Sequence, residues 1–141
     1  MKLLYWLSIL IVLISCTGDQ TGPVEITLDR NKCERCQMVI SDKYYAAQIR
    51  GGPKNKAFLF DDIGCAVNWL NKQPWADNAK IWVADYKTGN LLDAFTAHYV
   101  QEQITPMDFG FGAISAPTAE SIDFNTLKPQ LLNNKAHNSS R

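Results

Sequence analysis

The chain of 141 residues has no C-x-x-C pair beyond Cys33 and Cys36, only two histidines, His98 and His137, and no cluster of lysine or arginine. Each absence excludes a class. Without a second C-x-x-C, the thiols cannot build the closed four-cysteine centre that holds zinc structurally. Formal charge is zero for the whole chain, and minus one (0 − 1) once Lys2 is removed with the amino-terminal segment, so no basic surface is offered to phosphates. Nucleic acid is therefore not an expected partner. Long apolar runs are scarce as well. Leu3 to Ile14, twelve residues interrupted only by Ser8, is short for a bilayer span. No acid, base and nucleophile stand in a recognisable pattern, so a binding protein rather than an enzyme is expected. The remaining composition, 46% hydrophobic and 20% charged, is that of an ordinary globular chain long enough for one core.

What the sequence does have is concentrated in Cys33-Glu34-Arg35-Cys36-Gln37-Met38, two thiols and a thioether within six residues. Thiolate and thioether sulfur are soft donors, and a site that adds methionine to cysteine favours Cu(I) over the harder Zn(II). Cys36 and Met38 are two apart, so on a regular strand they share a face and can reach one ion. Met107, about seventy residues further on, is a third candidate that only folding can bring in. Each candidate has a plainer alternative. Methionines fill gaps in cores, His98 is either structural or completes the coordination, and His137 lies in the tail. Cys65 is either a small buried hydrophobe or a ligand or disulfide partner of Cys33 or Cys36. Asp61 and Asp62 are read as helix caps, and Trp69, Trp75 and Trp82 as core.

Along the chain, the apolar run ends in Leu13-Ile14-Ser15-Cys16, which resembles the lipobox of bacterial lipoproteins. That resemblance implies a signal peptide over 1–15, lipidation at Cys16 and a mature chain of 126 residues (141 − 15), with Thr17 pointing to the outer membrane; the plainer alternative is a transmembrane anchor, and either places the domain outside the cytoplasm. Setting Cys16 aside leaves Cys33, Cys36 and Cys65, an odd number, so at least one thiol is free or ligating. Residues 16–23 read as a lipidated tether, 24–133 as one domain and 134–141 as a frayed tail. Within the domain, strands are expected at Val24–Leu28, Gln37–Ser41, Tyr44–Arg50 and Lys56–Phe60, as an antiparallel meander. Asp61-Asp62 then opens an amphipathic helix over Ile63–Gln73. After Pro74 the pattern restarts, with strands at Lys80–Tyr86, Leu91–Ala94, Ala97–Glu102 and Ala113-Ile114. A closing helix over Phe124–Asn133 is interrupted by Pro129.

The lipobox, Cys33-x-x-Cys36-x-Met38-x-Ile40, Phe60-Asp61-Asp62-Ile63-Gly64 and Thr105-Pro106-Met107 before Gly110-Phe111-Gly112 together resemble the NosL family, accessory lipoproteins of nitrous oxide reductase. The resemblance covers roughly Ile26 to Leu127. It implies an α+β fold of two repeated ββαβ-like halves with mostly antiparallel strands, related to an organomercurial lyase domain. Here the second half looks trimmed at Ser115 to Asp123. It also implies a membrane-anchored Cu(I) chaperone for an extracytoplasmic cuproenzyme. Cys36, Met38 and Met107 match the family's metal motif, and Cys33 matches its first cysteine. The implied partners are copper, the membrane through the lipid, and a copper-receiving envelope protein or transporter-associated maturation complex. Two alternatives of other classes remain: a thiol–disulfide oxidoreductase using the C-x-x-C, and a structural or interaction lipoprotein stapled by zinc or a disulfide.

Overall fold

Ala47–Gly51 (β1) is the strand on which the main sheet is built, because all five of its residues are buried and it is paired on both edges. Lys56–Phe60 (β2) returns beside it through a tight turn, and Lys80–Ala84 (β3) takes its other edge. Leu91–Asp93 (β4) forms a hairpin with β3, giving the order β2-β1-β3-β4, antiparallel throughout. Between β2 and β3 runs the helix Ile63–Leu70 (α1), which packs on β1 and β2. His98–Val100 (β5) and Gly112–Ile114 (β6) make a second, two-stranded antiparallel sheet. A single parallel bridge between Asp85 and Ala113 joins the two sheets. Phe124–Asn133 (α2) then packs against α1 and β5.

This computed structural model describes residues 20–134. Residues 1–15, expected to be a signal peptide, Cys16, the first part of the expected tether, and the expected tail beyond 134 with His137 lie outside the described residues. The class is α+β with mostly antiparallel strands. The order β1-β2-α1-β3 is one ββαβ run, and β5-β6-α2 repeats its first three members. Among the described residues no strand follows α2.

The burial pattern explains the layers. Ile49, Phe60, Ile63, Val67, Ile81 and Val83 are buried between the sheet and α1, and Tyr99, Phe124, Leu127 and Leu131 continue that core under α2. Beside it Trp69 packs at a tilt against Phe58 and Phe60, at 4.6 and 5.4 Å between ring centroids, and Trp75 lies 5.8 Å from both Phe58 and Trp69. Trp69 and Trp75 are thus half-buried on the flank of the core.

Three expectations are corrected. Val24–Leu28 alternates in exposure, yet it joins no ladder and ends in a turn at Leu28. The Gln48 side chain intervenes: its amide accepts from the Val24 N–H at 2.8 Å and donates to the Val24 carbonyl at 2.7 Å. Gln37–Ser41 is not a strand either, since only Val39 pairs, with Lys32. Finally, α2 runs through Pro129 unbroken. Pro129 and Asn125, the residue whose carbonyl loses its donor, are both exposed, so water can serve that carbonyl.

Gly64, at the start of α1, carries the ring of Phe109 where a side chain would stand. A Cβ there would lie 2.0 Å from the ring carbon Cγ. Alanine favours helix by up to about 1 kcal/mol, but the clash outweighs it. Gly64→Ala is expected to destabilise the domain by about 1–3 kcal/mol, and a urea midpoint that stays level or rises would refute this packing.

Candidate metal centre

Four groups converge where the sulfur motif meets the junction of β2 and α1. The motif is held in a turn by its own backbone. The Cys33 N–H donates to the Met38 carbonyl at 2.8 Å and the Gln37 N–H to the Cys33 carbonyl at 2.9 Å. Closing that turn puts Gln37 at φ 63°, a left-handed conformation uncommon for a side-chain-bearing residue. Its amide donates to the Glu34 carbonyl at 2.9 Å and secures it. The turn is seated on the sheet by one further bond, from the Glu34 N–H to the Leu59 carbonyl at 2.8 Å. Leu59 is two residues before Asp61, so that bond brings the thiols to the end of β2.

On the other side, Asp62 is the N-cap of α1, its Oδ1 accepting from the Gly64 N–H at 3.0 Å. Its Oδ2 accepts from the Met107 N–H at 3.2 Å, which ties the loop Thr105–Phe109 to the same helix end. Burial pushes the Asp62 carboxyl upward, and its hydrogen bonds from Thr105, Gly64 and Met107 work against that. Cys65 is the third residue of α1 and faces inward.

Asp61 is not a cap. It is only 3% exposed, its Oδ2 accepts from the Cys36 thiol at 3.3 Å, and its Oδ1 is buried without a hydrogen-bond partner. A buried polar atom left unsatisfied costs about 1–3 kcal/mol. The Sγ atoms of Cys33, Cys36 and Cys65 and a carboxyl oxygen of Asp61 all lie within 4.8 Å of one another. All three cysteines are free thiols.

The three sulfurs are not equivalent. Cys33 and Cys65 are fully buried, and Cys36 is partly exposed. The Cys33 thiol is lowered from 9.0 to about 7, chiefly by the hydrogen bond from the Cys65 thiol and also by the N–H groups of Cys36 and Asp61, against the opposing effect of burial. Burial is the main cause that raises Cys36 from 9.0 to about 12, with Cys33 and Asp61 adding to it. Cys65 is pushed up because its proton is the one donated to Cys33. Cys33 is therefore the first of the three thiols to lose its proton, with the Cys65 S–H donating to it and the Cys36 S–H donating to Asp61. Arg35 completes the surroundings, its Nη1 donating to Cys65 Sγ at 3.5 Å and its guanidinium standing 5.7 Å from the centre of the Phe109 ring.

No family model matches the chain, and no curated protein matches it.

The structure brings Cys33 and Cys36 together, as the C-x-x-C spacing predicts, and adds Cys65 and Asp61. Cys65 had a signal, being the odd thiol left over. Asp61 had none, since nothing in the sequence tells it from the cap beside it. Met38 stands at the rim, 54% exposed, two residues from Cys36. Met107 is half-buried against the core on the loop tied to Asp62. His98 lies on β5, opposite Ile114 and within electrostatic reach of Asp123, and is not a member of the cluster. What the arrangement can do is bind a metal ion through cysteine sulfur.

A spectrophotometric titration of the reduced protein in the thiolate band tests the charge pattern. One cluster thiolate should appear around pH 7, and Cys33→Ser should remove that step. Because the folded value lies below 9.0, Cys33 contributes stability that is complete above pH 9 and fades as pH falls through about 7. Three thiols titrating together near their ordinary value would contradict this assignment.

Proposed function

We propose that the protein is a Cu(I) carrier of the cell envelope. It takes copper on the cluster of Cys33, Cys36 and Cys65 and passes it to an extracytoplasmic cuproenzyme. The observation that carries this reading is the convergence of three cysteine sulfurs, two buried and one partly exposed, beside an exposed methionine. Soft sulfur donors in low coordination suit Cu(I). The buried Cys33 and Cys65 retain the ion, while Cys36 sits where an incoming ligand can compete for it. Met38, at the same rim, offers a weaker thioether on which copper can pause during exchange. Met107 stands on the neighbouring loop as a further soft donor.

The resemblance to the NosL family in the sulfur motif, the Phe60-Asp61-Asp62 junction and the Thr105-Pro106-Met107 loop supports the same reading and names nitrous oxide reductase as the client. The lipobox supports a lipid anchor at Cys16, which would place the carrier beside membrane-bound maturation machinery. No helix among the described residues is long and apolar enough to cross a membrane. A redox enzyme fits the local structure less well. In such enzymes the C-x-x-C opens a helix whose terminus lowers the thiol pKa, whereas here Cys36 closes a turn, Gln37 is left-handed, and no helix follows before Val39 pairs with Lys32.

Competition against a chromophoric Cu(I) chelator, under anaerobic reduction and with circular dichroism as a check on fold, tests the carrier. One Cu(I) per chain is expected. Cys33→Ser, Cys36→Ser and Cys65→Ser should each weaken it by about 100-fold or more, at or beyond the upper end of what outer-sphere partners give. Met38→Leu and Met107→Leu should weaken it by smaller steps. Copper held no better than by a generic dithiol peptide would end the proposal.

A further inference from the structure

Asp61 is unexplained by copper. A carboxylate is a hard donor and adds little to Cu(I), which is satisfied by two or three sulfurs. Nor is Asp61 needed by the helix, because Asp62 supplies the cap. Yet it is 3% exposed, one oxygen is bonded only to the Cys36 thiol, and the other has no hydrogen-bond partner. An orphaned carboxyl oxygen beside three sulfurs is itself a pointer to a cation.

The geometry agrees. A tetrahedral centre with bonds of about 2.3 Å to sulfur and 2.0–2.2 Å to oxygen sets its ligand atoms roughly 3.5–3.8 Å apart. The four atoms here already lie within 4.8 Å of one another, so closing on an ion asks for a contraction of about 1 Å at most, within reach of χ1 adjustments. Charge agrees as well. Three thiolates and a carboxylate sum to −4 around the ion, an excess that a divalent cation offsets better than a monovalent one, and Arg35 beside Cys65 supplies a further positive charge.

We propose that Asp61 is the specificity-determining ligand of this centre: with it, the cluster becomes a four-donor site of three sulfurs and one oxygen that holds a thiophilic divalent cation of the Zn(II) or Cd(II) class. Cu(I) binds the sulfurs alone. The cluster therefore serves two metal classes, and the carboxylate decides between them. This rests on the reading of the cysteine cluster as a metal site, and it adds an ion and a residue to that reading.

The test uses the full-length chain in mild detergent, reduced, with Cys16→Ser so that the cluster holds its only thiols. Zn(II) affinity is measured by chelator competition and Cu(I) affinity in parallel, for the parent, Asp61→Asn and Asp61→Glu. Asp61→Asn is expected to lower Zn(II) affinity by about 100-fold and Cu(I) affinity by no more than about tenfold, since for copper Asp61 is only a hydrogen-bond partner of Cys36, and Asp61→Glu to recover at least about tenfold of the Zn(II) loss. Zinc-edge X-ray absorption on the parent protein, which needs no variant to fold, should give three sulfur neighbours and one oxygen. Unchanged Zn(II) affinity in Asp61→Asn, an equal loss of both metals, or a zinc shell without three sulfurs would overturn the role of Asp61. Failure of the parent to bind either metal beyond a generic dithiol would instead remove the metal site itself.

Discussion

The functional geometry depends on one backbone hydrogen bond, from the Glu34 N–H to the Leu59 carbonyl. Without it the C-x-x-C turn would meet the β2–α1 junction through side chains alone, the Cys36 thiol on Asp61 and Arg35 on Cys65. With it the turn is fastened to the last residues of β2, and the chain leaving β2 must pass the thiols as it enters α1. Asp61 and Cys65 are brought in by that passage: one on the connection, the other a turn into the helix. The rest of the fold fixes the receiving side. β2 is registered against β1 residue by residue, and β1 is buried between two neighbours, so the end of β2 cannot drift.

Around this junction the protein accepts local costs that packing alone does not explain. Gln37 holds a left-handed backbone to close the turn, and a carboxyl oxygen is buried without a partner. Cys33 is fully buried and yet lowered in pKa, because neighbouring S–H and N–H donors outweigh the loss of water. Such concentrations of strain, orphaned polarity and shifted titration mark functional sites more often than structural ones. Here they coincide within one cluster. The second part of the chain contributes from outside it: Phe109 on Gly64 and the Met107 N–H on Asp62 brace the helix end that carries Cys65. Arg35 reaches across from the turn to meet Cys65 and the face of Phe109.

Much of the architecture was legible in the sequence. β2 and α2 fall on their expected residues because alternation and capping are local signals: Lys56–Phe60 follows a glycine- and proline-rich turn, and Asp123 caps Phe124 through the Thr126 N–H. Where the reading failed, a nonlocal partner decided. Val24–Leu28 has a strand's alternation, and the structure keeps that alternation in its burial, but Gln48 from β1 takes the backbone groups of Val24 and a turn with Asn31 takes those of Thr27. Pro129 breaks helices as a rule, and here the lost bond falls on an exposed face.

The same division runs through the site. By itself the sequence determined that sulfur chemistry is centred on Cys33 and Cys36, since their spacing permits a turn that points two thiols one way, and that a third thiol is left over for ligation or burial. It also determined that an acidic residue caps α1, because a helix beginning after a strand needs an oxygen for its first free N–H groups. Only the tertiary structure decided which of two adjacent aspartates does this and which turns to the thiols. It alone brought Cys65 to Cys33 across about thirty residues of chain. Proximity of that kind is a property of strand register and helix docking, which depend on contacts among residues far apart in sequence, and no local pattern encodes it.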